Sequence, residues 1–240
     1  MTLKLIFINI LTFIRILGTI ILVPIYNIFG GAWASLLSMV CYMTDSVDGI
    51  LARKWNVSTF FGALFDGVAD KLFTLVNFIV LVLITPYASI PILLEISIVF
   101  ILFIKFVLKQ NIQSNIIGKL KVWVLAASVV LALFASDINS ILFVPTAIKS
   151  WVLNTPQETL YLWILLPAII MEFLTFLSYI LEIFKPKKIK ILNKSKRDLK
   201  IPPLVGKTRC EKFKAIWLNP DFYNEHKNDA NLIHLWKILK

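Results

Sequence analysis

Charge is what this chain has least of. Asp, Glu, Lys and Arg make up 16% of its 240 residues while AVILMFWYC supply 58%, against about 25% charged and about 45–50% apolar in ordinary soluble domains. That balance argues against a water-soluble monomer. Glycine, at 8 residues, and proline, at 10, are too sparse for a collagen-like, disordered or linker-dominated chain. The two cysteines, Cys41 in an apolar run and Cys210 in a basic one, make neither a disulfide framework nor a metal-ligand cluster. No histidine precedes His226, so before it only these two widely separated cysteines are of the ligand types that zinc prefers. What remains is a chain whose solvent is mostly lipid.

Its net charge of +11 is not spread evenly. Residues 1–184 carry ten Lys and Arg against nine Asp and Glu, and residues 185–240 carry fifteen against five, so ten of the eleven excess charges lie in the last 56 residues. A polybasic stretch that follows a membrane segment reads as a cytoplasmic anchor on anionic lipid rather than as a nucleic-acid site. The chain therefore divides into an apolar membrane domain, 1–184, and a basic tail, 185–240. In the tail, Asp229 followed by Leu232, Ile233, Leu235, Trp236, Ile238 and Leu239 has the spacing of a short amphipathic helix.

About 20 apolar residues are needed to cross about 30 Å of hydrocarbon. Runs near 5–24, 31–44, 62–84, 91–109, 119–136 and 160–184 meet or approach that length, which predicts an all-α bundle of six transmembrane helices. The second run is short, so its helix is expected to continue into the polar sequence around Asp45 and Asp48. Segments 25–30 and 85–90 carry no Lys or Arg and 137–159 carries only Lys149, whereas the alternating connections are basic. The positive-inside bias then puts both termini in the cytoplasm of a multi-pass cell-membrane protein. Ala32-Trp33-Ala34 has the small-x-small form of a signal cleavage site, but Arg15 interrupts the apolar core that a signal peptide needs.

Four of the nine acids in 1–184 fall in one 26-residue window, as Asp45, Asp48, Asp66 and Asp70. An acid at the centre of a membrane helix costs about 2.5–3.5 kcal/mol, so such a concentration calls for compensating cations. Asp45 and Asp48 are i,i+3 and Asp66 and Asp70 are i,i+4, so each pair projects from one helix face. Two antiparallel spans joined on the cytoplasmic side would bring the pairs together at the membrane surface. An all-oxygen donor set suits Mg²⁺, Mn²⁺ or Ca²⁺. Gly49, Ala52 and Gly62 leave a strip poor in side chains beside the carboxylates, where helices could pack closely or a nucleotide could lie. Arg53 and Lys71 are available for phosphate.

Together these residues spell D-x2-D-G-x2-A-R-x8-G-x3-D-x3-D, matched at Asp45, Asp48, Gly49, Ala52, Arg53, Gly62, Asp66 and Asp70. The pattern resembles the signature of the CDP-alcohol phosphatidyltransferases. That resemblance implies a six-helix membrane enzyme, commonly a homodimer, with two divalent ions, Mg²⁺ or Mn²⁺, at the cytoplasmic interface. It makes Asp45, Asp48 and Asp66 metal ligands and Asp70 the general base, also within reach of a metal. It places Gly49, Ala52, Arg53 and Gly62 around the cytidine diphosphate of CDP-diacylglycerol. A cation transporter using the acids as an ion site would leave those four residues unexplained.

The surroundings are similar to the phosphatidylglycerophosphate synthase branch, whose acceptor is sn-glycerol 3-phosphate. Asn9-Ile10-Leu11-Thr12 with Arg15-Ile16, then Thr59, Phe61-Gly62 and Ala69-Asp70-Lys71, resemble that branch, as does Gly118-Lys119-Leu120-Lys121. Lys119, Lys121 and Arg15 are thereby candidates for the acceptor phosphate. Gly67, Val122 and Leu94 depart from the branch pattern, which carries proline, threonine and arginine there. These departures bear on the acceptor, since other members use phosphatidylglycerol, serine or an inositol phosphate. Glu172 and Glu182 in the last span have no role in the pattern, and packing against a neighbouring helix is the simplest reading of Glu172.

Overall fold

The computed structural model describes residues 3–107, 116–141, 143–184 and 208–226. Among them the secondary structure is helical throughout, as α1 (Leu3–Phe29), α2 (Gly31–Lys54), α3 (Phe60–Val82), α4 (Ser89–Val107), α5 (Ile116–Ser136), α6 (Thr146–Asn154), α7 (Gln157–Phe184), α8 (Arg209–Trp217) and α9 (Pro220–His226). Three stretches are long and apolar enough to cross a membrane: Ile6–Phe29, Pro86–Ile104 and Gln157–Ile183; Leu120–Ser136 is a shorter apolar helix. The predicted amphipathic helix at 229–239 lies outside the described residues.

The chain forms two compact units. One comprises Met1–Ile14, Thr44–Lys71 and Lys190–Lys240, the other Arg15–Met43 and Leu72–Ile189. α1, α2 and α3 each contribute to both.

In the larger unit, Leu22, Ala34, Cys41, Phe73, Leu81, Val129, Leu133 and Leu165 form a core contributed by α1, α2, α3, α5 and α7. α7 packs on both α4 and α5. Outward faces stay apolar: Leu93, Phe100 and Trp163 are all exposed. Side chains of that kind are stable on a surface whose solvent is hydrocarbon, and helices suit that solvent because they satisfy their own backbone groups. Pro24 and Pro167 sit inside α1 and α7 without ending them, as membrane helices allow.

The sequence predicts a loop at 25–30, but α1 reaches Phe29 and α2 starts at Gly31. Gly30 makes the whole reversal with φ +87°. It donates its N–H to the Tyr26 carbonyl at 3.1 Å and offers its own carbonyl to the Ala34 N–H at 3.3 Å, so one residue closes α1 and opens α2. A left-handed conformation of this kind is natural only for glycine. The Asp137 carboxylate, from the far end of α5, accepts from the Ala32 N–H at 3.4 Å and supplies the negative charge that a helix N-terminus favours. Deeper in the unit, the Ser38 hydroxyl bonds the Asn77 side-chain oxygen at 2.6 Å, and the Asn77 amide donates to the Phe73 carbonyl at 2.8 Å.

Three buried charges also meet in this unit. The Lys121 ammonium on α5 is 2.6 Å from Glu95 on α4 and 3.3 Å from Glu172 on α7, with all three side chains almost wholly buried. Ionisable groups in an apolar bundle face inward and pair, and this cluster ties α4, α5 and α7 together.

Candidate active site

The smaller unit holds the aspartates. As its spacing predicts, α2 does not stop at the end of its apolar run but continues to Lys54, carrying Asp45 and Asp48 within it. Its end is set by Asn56, which takes φ +52°, while the Val57 N–H reaches back to the Ala52 carbonyl at 3.2 Å. This is a Schellman-type stop, with asparagine in the left-handed position usually held by glycine. Three residues later Thr59 starts α3. Its hydroxyl accepts from the Gly62 N–H at 3.0 Å, the N-cap bond that satisfies an otherwise orphaned donor. An atom at the Cβ position of residue 62 would lie 2.9 Å from that hydroxyl, so glycine there protects the cap.

A connection fixed at both ends aligns the last turns of α2 with the first turns of α3. One carboxylate oxygen from each of Asp45, Asp48 and Asp66 lies within 4.8 Å of the others. Asp48 is 2% exposed, and Asp45 and Asp66 are half-buried. Oxygens bound to one Mg²⁺ at about 2.1 Å sit about 3 Å apart at right angles and about 4 Å apart across the ion, a spacing that small side-chain rotations reach from here. Three ionised carboxylates this close repel by about 3 kcal/mol per pair at an effective dielectric of about 20. A divalent cation turns that repulsion into attraction, so the donor set fits a hard metal ion.

Asp70 is one helical turn beyond Asp66 on α3, half-buried and outside the group of three. Gly49 and Ala52 lie on α2 just after Asp48, and a Cβ added at Gly49 would meet nothing within 4 Å. The same holds at Gly67, beside Asp66. Arg53 occupies the last turn of α2. The candidates for an acceptor phosphate lie on two helices: Arg15 is buried in α1, Lys119 is in the first turn of α5, and Lys121, also on α5, sits between Glu95 and Glu172. Sequence reasoning missed that last cluster, although isolated charges of opposite sign in three apolar spans are its signal.

The sequence profile described as CDP-alcohol phosphatidyltransferase matches residues 5–184. The chain belongs to the CDP-alcohol phosphatidyltransferase family. Among curated proteins it is similar to the CDP-diacylglycerol–glycerol-3-phosphate 3-phosphatidyltransferase of Salmonella paratyphi A, 43% identical over 60 residues that make up 22% of this chain and 33% of the relative. It is also similar to the protein of that name from Escherichia coli K12, 56% identical over 39 residues, 16% of this chain and 21% of the relative. The chain thus spans a third or less of the length of these relatives in the matched stretches, while the family profile covers α1 to α7 almost completely.

Proposed function

We propose that this protein transfers the phosphatidyl group of CDP-diacylglycerol to sn-glycerol 3-phosphate, releasing CMP and forming phosphatidylglycerophosphate. The observation that carries the reading is the convergence of Asp45, Asp48 and Asp66 from two helices in a chain of this family. In the proposed step the acceptor hydroxyl gives its proton to Asp70 and its oxygen bonds to the phosphorus that bears diacylglycerol. The bridging phosphorus–oxygen bond breaks, and its electron pair leaves on CMP. Asp45, Asp48 and Asp66, with Asp70 in reach, would hold two divalent ions, Mg²⁺ or Mn²⁺, that neutralise the pyrophosphate and stabilise the departing phosphate. The open surface at Gly49, together with Ala52, Arg53 and Gly62, receives the cytidine diphosphate.

The names of the relatives support glycerol 3-phosphate as the acceptor. Arg15, Lys119 and Lys121 are the candidate cations for its phosphate. Six spans place both termini and the aspartates on the cytoplasmic side, where a water-borne acceptor meets a lipid-borne donor. The protein works as a homodimer whose basic tail rests on anionic lipid. The test is to offer purified protein CDP-diacylglycerol with a panel of labelled acceptors and to identify the lipid product by chromatography. Phosphatidylglycerophosphate as the main product supports the reading. Cardiolipin, phosphatidylserine or a phosphatidylinositol phosphate keeps the chemistry and replaces the acceptor.

A further inference from the structure

The basic tail has a folded part that the motif does not account for. α8 opens with a capping box, in which the Thr208 hydroxyl accepts from the Glu211 N–H at 3.4 Å and the Glu211 carboxylate accepts from the Thr208 N–H at 3.0 Å. α9 follows after a short bend, with Asn219 accepting from the Asp221 N–H at 3.0 Å and Pro220 in the first helical position. The hairpin buries Ile216, Trp217 and Phe222 almost completely.

What it packs against lies in the same unit. Phe213 of α8 stacks on Trp217 with ring centres 6.0 Å apart and meets Phe61 edge-on at 5.8 Å. Phe222 and Tyr223 of α9 meet Phe60 edge-on at 6.1 and 4.9 Å. The Asn224 amide donates to the Asn56 carbonyl at 3.1 Å. The contacts therefore fall on the residue that stops α2 and on the first two residues of α3, the segment whose geometry sets Asp48 against Asp66.

We infer that the α8–α9 hairpin is a positioning element for the metal centre: it clasps the α2–α3 connection and so holds the aspartates at metal-binding spacing. The inference rests on the reading of the aspartates as metal ligands. Aromatic rings in edge contact fix orientation as well as adding apolar burial, and the hairpin adds them to a five-residue connection already held by the Asn56 stop, the Thr59 cap and an edge contact of Phe7 with Trp55 at 6.2 Å. The observed contacts run to Phe60, Phe61 and Asn56, so the hairpin's effect on the site passes through those residues.

The experiment is Mn²⁺ binding to the purified full-length protein, read by electron paramagnetic resonance of the free ion, with CMP release followed separately. Phe213→Ala is expected to weaken Mn²⁺ binding about fivefold to tenfold, and Phe213→Leu, which keeps most of the volume, to stay within about twofold of the parent. Asn224→Ala, at a partly exposed position, tests the same link without touching the aromatic cluster and is expected to weaken binding about twofold to threefold. Parent-like Mn²⁺ binding in both Phe213→Ala and Asn224→Ala would overturn the inference. A parent protein that binds Mn²⁺ but releases no CMP would count against phosphatidyl transfer and leave the clasp standing.

Discussion

The Glu95–Lys121–Glu172 cluster and the Asp45–Asp48–Asp66 cluster both place carboxylates among apolar helices, but they resolve the cost differently. In the larger unit two glutamates close on a lysine of the same chain, each within 3.3 Å, in an almost fully buried setting. In the smaller unit three aspartates are drawn to within 4.8 Å of one another, two of them half-buried, beside glycines that leave open space. Two acids closed around a buried lysine tie helices together, whereas acids gathered on a partly open face can take a cation and substrate from outside. On the proposed function the second arrangement carries the chemistry while the first chiefly holds helices together, and substitutions should separate them.

The largest contrast is expected at the aspartates. Asp70→Asn should lower CMP release by about 10²- to 10⁴-fold, the range for loss of a general base, and Asp48→Asn should fall at least as far. Detergent-solubilised variants should keep the parent's helical circular dichroism and elution volume. Near-parent turnover in either would remove the aspartates from the chemistry.

Lys121→Met should do the reverse, lowering stability first. It leaves two glutamates buried without their cation, a change that costs about 3–5 kcal/mol for a broken buried pair, read as a lower midpoint in thermal unfolding. Replacing the whole cluster, as Glu95→Gln with Lys121→Met and Glu172→Gln, should recover most of that loss. If the triple variant is stable yet binds glycerol 3-phosphate weakly, Lys121 also serves the acceptor; parent-like acceptor KM would confine it to architecture.

A smaller and sharper contrast lies between two glycines of the motif. Gly62→Ala pushes on the Thr59 hydroxyl and should cost about 1 kcal/mol through the lost N-cap, as Thr59→Ala should. Gly49→Ala meets no protein atom within 4 Å, and alanine favours the helix by about 1 kcal/mol. That variant should be at least as stable as the parent while its KM for CDP-diacylglycerol rises on the order of tenfold. An unchanged KM would mean that the nucleotide lies elsewhere.

The parts of this molecule that depend on short spacing could be read from the sequence. The i,i+3 and i,i+4 aspartates, the continuation of α2 past its apolar run and the side-chain-poor strip are all local, so helical periodicity sufficed. Contacts made across the bundle were not legible. Glu172 reads from the sequence only as packing against a neighbouring helix, with no partner named until α4, α5 and α7 bring it to Lys121, and Lys121 read from its motif alone suggests only a phosphate ligand. The reversal at Gly30 looked like a loop because nothing in 25–30 announces that Asp137, more than a hundred residues on, caps the next helix. In the tail, the contacts among the described residues run through Phe213, Trp217 and Phe222, and the apolar spacing at 229–239 does not point to them. The i,i+4 aromatic pair Phe213 and Trp217 was the available signal, but its partner on α3 is not a property of spacing.

As proposed, the aspartates of α2 and α3 form a metal-dependent phosphatidyl-transfer site. The most direct test is CMP release from labelled CDP-diacylglycerol, titrated with Mn²⁺ in the presence of glycerol 3-phosphate, for the parent and for Asp66→Asn. The account predicts saturable, metal-dependent release in the parent, none without acceptor, and a near-complete loss in the variant. Release that ignores the metal, or that survives Asp66→Asn at the parent's rate, would contradict it.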